Sequence, residues 1–96
     1  MKLLMVVYSG SRPRTVPGLL EAHEVHGWTE LPRAHGAGAT GRREESRAWP
    51  GDAVVYFTIV SEPQAAQLAD ALAGAAAPLP PGERLHAAVL PVERFF

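Results

Sequence analysis

Two apolar runs and one long amphipathic stretch organise the 96-residue chain. Leu3 to Tyr8 is continuously apolar, Val6 and Val7 are β-branched, and Ser9-Gly10-Ser11-Arg12-Pro13 breaks the run, which predicts a central strand over Lys2 to Tyr8 buried on both faces. Val16, Leu19, Leu20 and His23 then recur at helical spacing, with Thr15 as the expected N-cap, Pro17 in the first turn and Gly27 as the expected stop. Trp28 to His35 alternates and contains Pro32, which cannot donate to a ladder, so this strand is expected at an edge. From Gly36 to Asp52 no apolar period is present, and the segment reads as one long loop. Ala53 to Val60 is the richest β-former run. Ser61-Glu-Pro-Gln64 follows as a capping box, and Ala65, Leu68, Ala69, Leu72, Ala73 and Ala76 present a small-residue helical face toward a sheet. Pro78-Leu-Pro-Pro-Gly82 stops that helix, and Arg84 to Val92 forms a last strand whose Pro91 again suits an edge.

The resulting βαββαβ order predicts an α+β, ferredoxin-like domain spanning residues 1–96, with a four-stranded antiparallel sheet and both helices on one face. The proline-free strands take the centre. Tyr56, Phe57 and the apolar residues of the first strand cannot all meet helices on one side, so the opposite sheet face is partly apolar and another subunit is its economical cover.

Composition narrows the function. Nine Lys+Arg against ten Asp+Glu leave a net charge of −1, which removes the electrostatic footprint of a nucleic-acid binder. No apolar stretch approaches the ~20 residues of a membrane helix, and the expected location is cytoplasmic. Without cysteine there are no disulfides, thiolate metal sites or cysteine nucleophiles, and the cysteine pair of a ferredoxin-like metallochaperone is absent after the first strand. Asparagine is absent too, which argues against an acylphosphatase type of enzyme. An RNA-recognition module would need exposed aromatics on the central strands, and the first strand offers only Tyr8. No carboxylate pair, activated nucleophile or specific metal motif is present, and Ser9, Ser11, Ser46 and Ser61 have turn or capping explanations, so the chain is read as a non-enzyme.

The remaining features carry a resemblance. Met1-Lys-Leu-Leu, Gly27-Trp-Thr29, Gly36-Ala-Gly38, the strand AVVYFTIV and above all Ala88-Val-Leu-Pro-Val-Glu-Arg94 together resemble the PII nitrogen-regulatory family and its PII-like relatives, along essentially the whole chain. The resemblance implies a homotrimer with inward-facing sheets, adenine nucleotide in clefts between subunits, and a loop between the second and third strands that contacts a partner such as a membrane transporter or an enzyme. It assigns Gly36 and Gly38 to the base of loop and cleft, Thr29 to the neighbourhood of adenine, and Arg94 to the terminal VER motif. Phosphate would rest on Gly82 and Arg84 of the turn before the last strand, with Arg42 or Arg43 assisting.

The chain departs from the family pattern in three places. Its loop, about Ala39 to Pro50, lacks the tyrosine that some members carry for modification. The phosphate turn is Pro78-Leu-Pro-Pro-Gly-Glu83-Arg84 where the family has a glycine-rich turn with lysine. The sequence reaches Phe96 without the two further arginines of nucleotide-binding members, so the triphosphate site is expected to be incomplete, and adenine nucleotide is the one candidate cofactor, with none certain.

Bland readings stand beside these. Gly36-Ala-Gly-Ala-Thr-Gly41 is a flexible loop or a nest of amides for an anion. Arg42, Arg43, Glu44, Glu45 and Arg47 form a solvated loop or, as expected for a loop of this length, a partner contact. Trp49 is expected to pack on the sheet, with ligand stacking as the alternative. Glu93-Arg94 suits an ion pair between subunits. His23, His26 and His35 could make a three-His metal site, and metal binding linked to homeostasis is the alternative function. Against it, His23 is expected on the helix's core face, His26 in its last turn and His86 on a strand face.

Overall fold

The computed structural model describes residues 1–36 and 53–96. Six elements follow in the order β1 (Lys2–Ser9), α1 (Thr15–Ala22), β2 (Thr29–Ala34), β3 (Ala53–Val60), α2 (Glu62–Ala76) and β4 (Arg84–Pro91). The strands form one antiparallel sheet in the order β2-β3-β1-β4, so the proline-bearing strands are the edges, as expected. The fold is ferredoxin-like βαββαβ, of the α+β class.

The sheet has two unlike faces. Leu4, Val6 and Tyr8 of β1, Tyr56 and Val60 of β3 and Leu85 of β4 are buried together with Val16 and Leu20 of α1 and Ala65, Leu68 and Leu72 of α2. Both helices therefore cover this face. Leu3, Met5 and Val7 of β1, by contrast, pair with Ile59, Phe57 and Val55 of β3 on the opposite face, and all six are only half-buried. Burial of β1 on both faces is thus corrected within one subunit. Period-2 alternation sends every second residue of an apolar run away from the helices, whatever its hydrophobicity.

Helix ends show how local chemistry sets the frame. Ser61 caps α2 through a capping box: Gln64 N donates to Ser61 Oγ at 3.2 Å and Ser61 N donates to Gln64 Oε1 at 3.4 Å. Gln64 Nε2 also donates to the His23 carbonyl at 3.3 Å, tying the start of α2 to the end of α1. Thr15 is not the cap of α1. Pro13 and Arg14 already turn the chain, Arg14 occupies the cap position without a capping bond from its side chain, and Thr15 N donates to Arg12 O at 3.0 Å.

Gly27 does not stop α1 either. The helix ends at Ala22, with Glu24 in the left-handed region at φ 63, Glu24 N donating to Glu21 O and Val25 N donating to Leu20 O. That is a Schellman motif with glutamate at the position glycine usually holds, and buried Val25 packs with Leu20. The connection is then fixed by Thr58, whose buried hydroxyl donates to Gly27 O at 2.8 Å.

β2 carries a bulge. Leu31 pairs with Val55 and Ala34 with Ala53, so β2 spends three steps where β3 spends two, and Arg33 absorbs the extra residue at φ 56. Pro32 sits in the bulge, where no ladder donor is needed. Ala73 of α2, expected against the sheet, is exposed and borders a groove between α2 and the edge strand β4.

Candidate functional site

The candidate ligand residues lie at three levels along the sheet. Arg84 opens β4 opposite Ser9, Gly82 stands two residues before it, and Gly36 follows the β2 end that pairs with Ala53. These three share the Ser9 end. Thr29 begins β2 opposite Phe57, which pairs with Met5 in the middle of the sheet, four β3 residues or roughly 13 Å from Ala53. Arg94 follows Pro91, which pairs with Lys2, so it is on the order of 25 Å from Arg84. One subunit does not bring them together.

At the Ser9 end, the turn before β4 is built by its prolines. Glu83 N donates to Pro80 O at 3.1 Å and Gly82 takes φ 88, a type II arrangement with Pro81 and Gly82 at its centre. Only glycine enters that backbone region without strain, so Gly82 has a structural reason to be there. The turn docks on the β1–α1 connection. Ser11 Oγ donates to Glu83 Oε2 at 3.1 Å, and Arg12 N donates to the Tyr8 hydroxyl at 3.0 Å.

Glu30, on the exposed edge of β2, pairs with Tyr56. Burial pushes the Tyr56 hydroxyl above its ordinary value of 10.0, the negative charge of Glu30 and nearby Tyr8 add to the rise, and Arg14 opposes it. Arg14 itself pairs with Glu21 at 2.6 Å.

At the other end, Lys2 Nζ reaches Glu62 Oε2 at 3.6 Å, and the Arg94 guanidinium lies 5.2 Å from the centre of the Phe96 ring. Phe95 and Phe96 are exposed.

A groove of about 240 Å³ separates α2 from β4, lined by Ala69, Leu72, Ala73, Ala76, Leu85 and Val89 with His86 and Ala87. It contains none of the predicted ligand residues.

The three-His site is not assembled. His23 is the C-cap of α1, its Nδ1 3.0 Å from Leu19 O; His26 lies exposed beyond the end of the helix, not in its last turn. His35 follows the opposite end of β2. Among the described residues no three His, Asp or Glu side chains gather in a way that could hold a metal ion, and the metal-binding alternative is not favoured. Gly38, Arg42, Arg43, Glu44, Glu45, Arg47 and Trp49 lie outside the described residues.

Sequence reasoning missed Glu83 and Gly10. Both sit in stretches rich in turn formers, and only the crossing of β1 beside β4 makes them neighbours.

No protein-family model matches the chain, and no curated protein matches it. Solved structures do. A PII-like signalling protein from Thermus thermophilus is 26% identical with a TM-score of 0.64, over 92% of this chain and 82% of that one. CPII, a nitrogen regulatory PII-like protein from Thiomonas intermedia bound to ADP, AMP and bicarbonate, is 17% identical with a TM-score of 0.69, over 99% of this chain and 94% of that one. CPII bound to ADP and bicarbonate gives 18% identity and the same TM-score of 0.69, over 97% and 88% of the two chains. The resemblance carried by the residue motifs is therefore matched in the fold: the chain is PII-like and divergent.

Proposed function

We propose that this single domain is a PII-like signalling protein, not an enzyme, that works as a cytoplasmic homotrimer. A small effector sits in the cleft between subunits and shifts the loop at residues 36–51 between arrangements of different affinity for a protein partner. The observation that carries the reading is the separation of the candidate ligand residues along one sheet, with Gly36, Gly82 and Arg84 at the Ser9 end, Thr29 level with its middle and Arg94 beyond its Lys2 end. Thr29 and Arg94 of one copy complete the cleft begun by Gly36, Gly82 and Arg84 of another.

The half-buried apolar sheet face supports the same assembly, because an apolar patch of this kind on a small domain is stabilised when a second copy removes it from water. Gly38 contributes to the base of the loop, and Arg42, Arg43, Glu44, Glu45 and Arg47 supply the charged contact with the partner, a transporter or an enzyme. AMP, ADP and bicarbonate are the first effectors to test, since the like-folded CPII binds them.

Light scattering followed by calorimetric titration with AMP, ADP, ATP, cyclic AMP and bicarbonate tests the proposal. A mass of three chains with micromolar binding of one of these is the expected result. A monomer that binds none of them overturns it.

A further inference from the structure

The turn entering β4 carries a negative charge at the place where the cleft would meet the phosphates of a nucleotide. Glu83 stands between Gly82 and Arg84, the two residues of this turn assigned to an anionic ligand. Its carboxylate is held. Ser11 Oγ donates to Oε2 at 3.1 Å, and the main chain at Glu83 is fixed by the bond from its N–H to Pro80 O.

On the far side the carboxylate packs over Gly10. A Cβ built on Gly10 would lie 2.6 Å from Glu83 Oε1 and 2.5 Å from the Tyr8 hydroxyl oxygen, closer than real contacts allow. The absence of a side chain at Gly10 is what leaves room for both Glu83 and Tyr8 at this end of the sheet. Tyr8 is in turn fixed by the bond it accepts from Arg12 N. The β1–α1 connection thus serves as a seat for this one carboxylate.

We infer that Glu83 determines specificity in the cleft, admitting a nucleoside monophosphate and turning away the di- and triphosphate. This rests on the effector reading above. A fixed carboxylate repels each added phosphate charge, and the repulsion falls most heavily on the ligand with the most charge near the turn. Arg84 supplies the positive charge for one phosphate, while a polyphosphate must bring its further charges past Glu83.

The test is calorimetric titration of the full chain with AMP, ADP and ATP in EDTA, for the parent protein, Glu83→Gln and Ser11→Ala. Glutamine keeps the acceptor for Ser11 and the shape of the turn but removes the charge. The parent is expected to bind AMP tightest and ATP weakest. Glu83→Gln should tighten ATP roughly 3- to 10-fold and AMP by about 2-fold or less. Ser11→Ala, which frees the carboxylate without removing it, should narrow the AMP-to-ATP ratio less than Glu83→Gln does.

A measurement without any variant stands beside these: raising the salt from about 0.05 to about 0.5 M should narrow the ratio in the parent protein, because the repulsion is screened. Unchanged ratios in Glu83→Gln and at high salt overturn the role of Glu83 while leaving nucleotide sensing intact. No nucleotide binding by any of the three proteins overturns the effector reading and this inference together.

Discussion

The two faces of the sheet are made from the same residue types in the same strands, yet they end in different states. On the helix face, Leu4, Val6 and Tyr56 meet Leu20, Leu68 and Leu72 and are removed from water. On the other, Met5, Phe57, Val55 and Ile59 pair with one another across β1 and β3 and keep part of their surface wet. The difference lies in what covers each face and not in hydrophobicity. One face is complete within the subunit, whereas the other is stabilised further only by something outside it. The connections agree with this division: the capping box, the Schellman ending and the Thr58 bond to Gly27 all serve the helix layer.

The largest expected effect comes from breaking the closed face. Leu68 is 0% exposed at the centre of the helix layer, so Leu68→Ala should cost about 2–5 kcal/mol of stability, read by urea unfolding. A cost under about 1 kcal/mol would mean that the face is far less tightly packed than its burial indicates. The counterpart on the open face is Phe57→Glu. Phe57 faces Met5 and Thr29 and is half-buried in one subunit, so a charge there is tolerated by the monomer but not by an apolar contact between copies. On the proposed assembly, light scattering of Phe57→Glu should show single chains while the circular dichroism spectrum stays folded. Retention of the parent mass would place the contact between copies elsewhere.

The same contrast explains what could be read in the sequence. Element order, edge and central strands and the Ser61 capping box depend on local pattern, and each was legible in Pro32, Pro91, the AVVYFTIV run and Ser61-Glu-Pro-Gln64. The end of α1 was not. A left-handed residue is expected to be glycine, and here Glu24 takes that role because buried Val25 and the Thr58 bond hold the connection in place. The neighbourhood of Glu83 was not legible either, since Ser11 and Glu83 are 72 residues apart and meet only through the pairing of β1 with β4. Site residues were named by resemblance, and their separation along the sheet is a property of register, which no single segment encodes.

The closed face also has a titration consequence. Tyr56 is protonated more firmly in the folded chain than in the unfolded one, because burial and the charge of Glu30 disfavour its phenolate. Above the unfolded value near 10, the unfolded chain releases this proton while the folded chain keeps it. Stability therefore falls as pH rises beyond about 10, and the contribution is fully present below that value. Melting temperatures measured from pH 8 to pH 11 should decline more steeply in the parent than in Tyr56→Phe. Parallel curves would show that the hydroxyl does not titrate differently on folding.

The smallest expected effect is a gain, and it sharpens the comparison by acting on the helix layer alone. Glu24 is exposed and holds φ 63 at the end of α1, a conformation that costs an L-residue with a Cβ about 1–2 kcal/mol. Glycine removes that cost, but it also gives the unfolded chain more freedom to lose, so Glu24→Gly should stabilise by about 0.5–1 kcal/mol. The bonds of the motif run from main-chain N–H groups to Leu20 and Glu21 carbonyls and do not need the glutamate side chain. Since the substitution touches nothing on the open face, it should raise the urea midpoint without altering the mass in light scattering or the affinity for nucleotide. A loss of stability would mean that the Glu24 side chain contributes more to this corner than its backbone costs, and a change in mass would mean that the two faces are not independent.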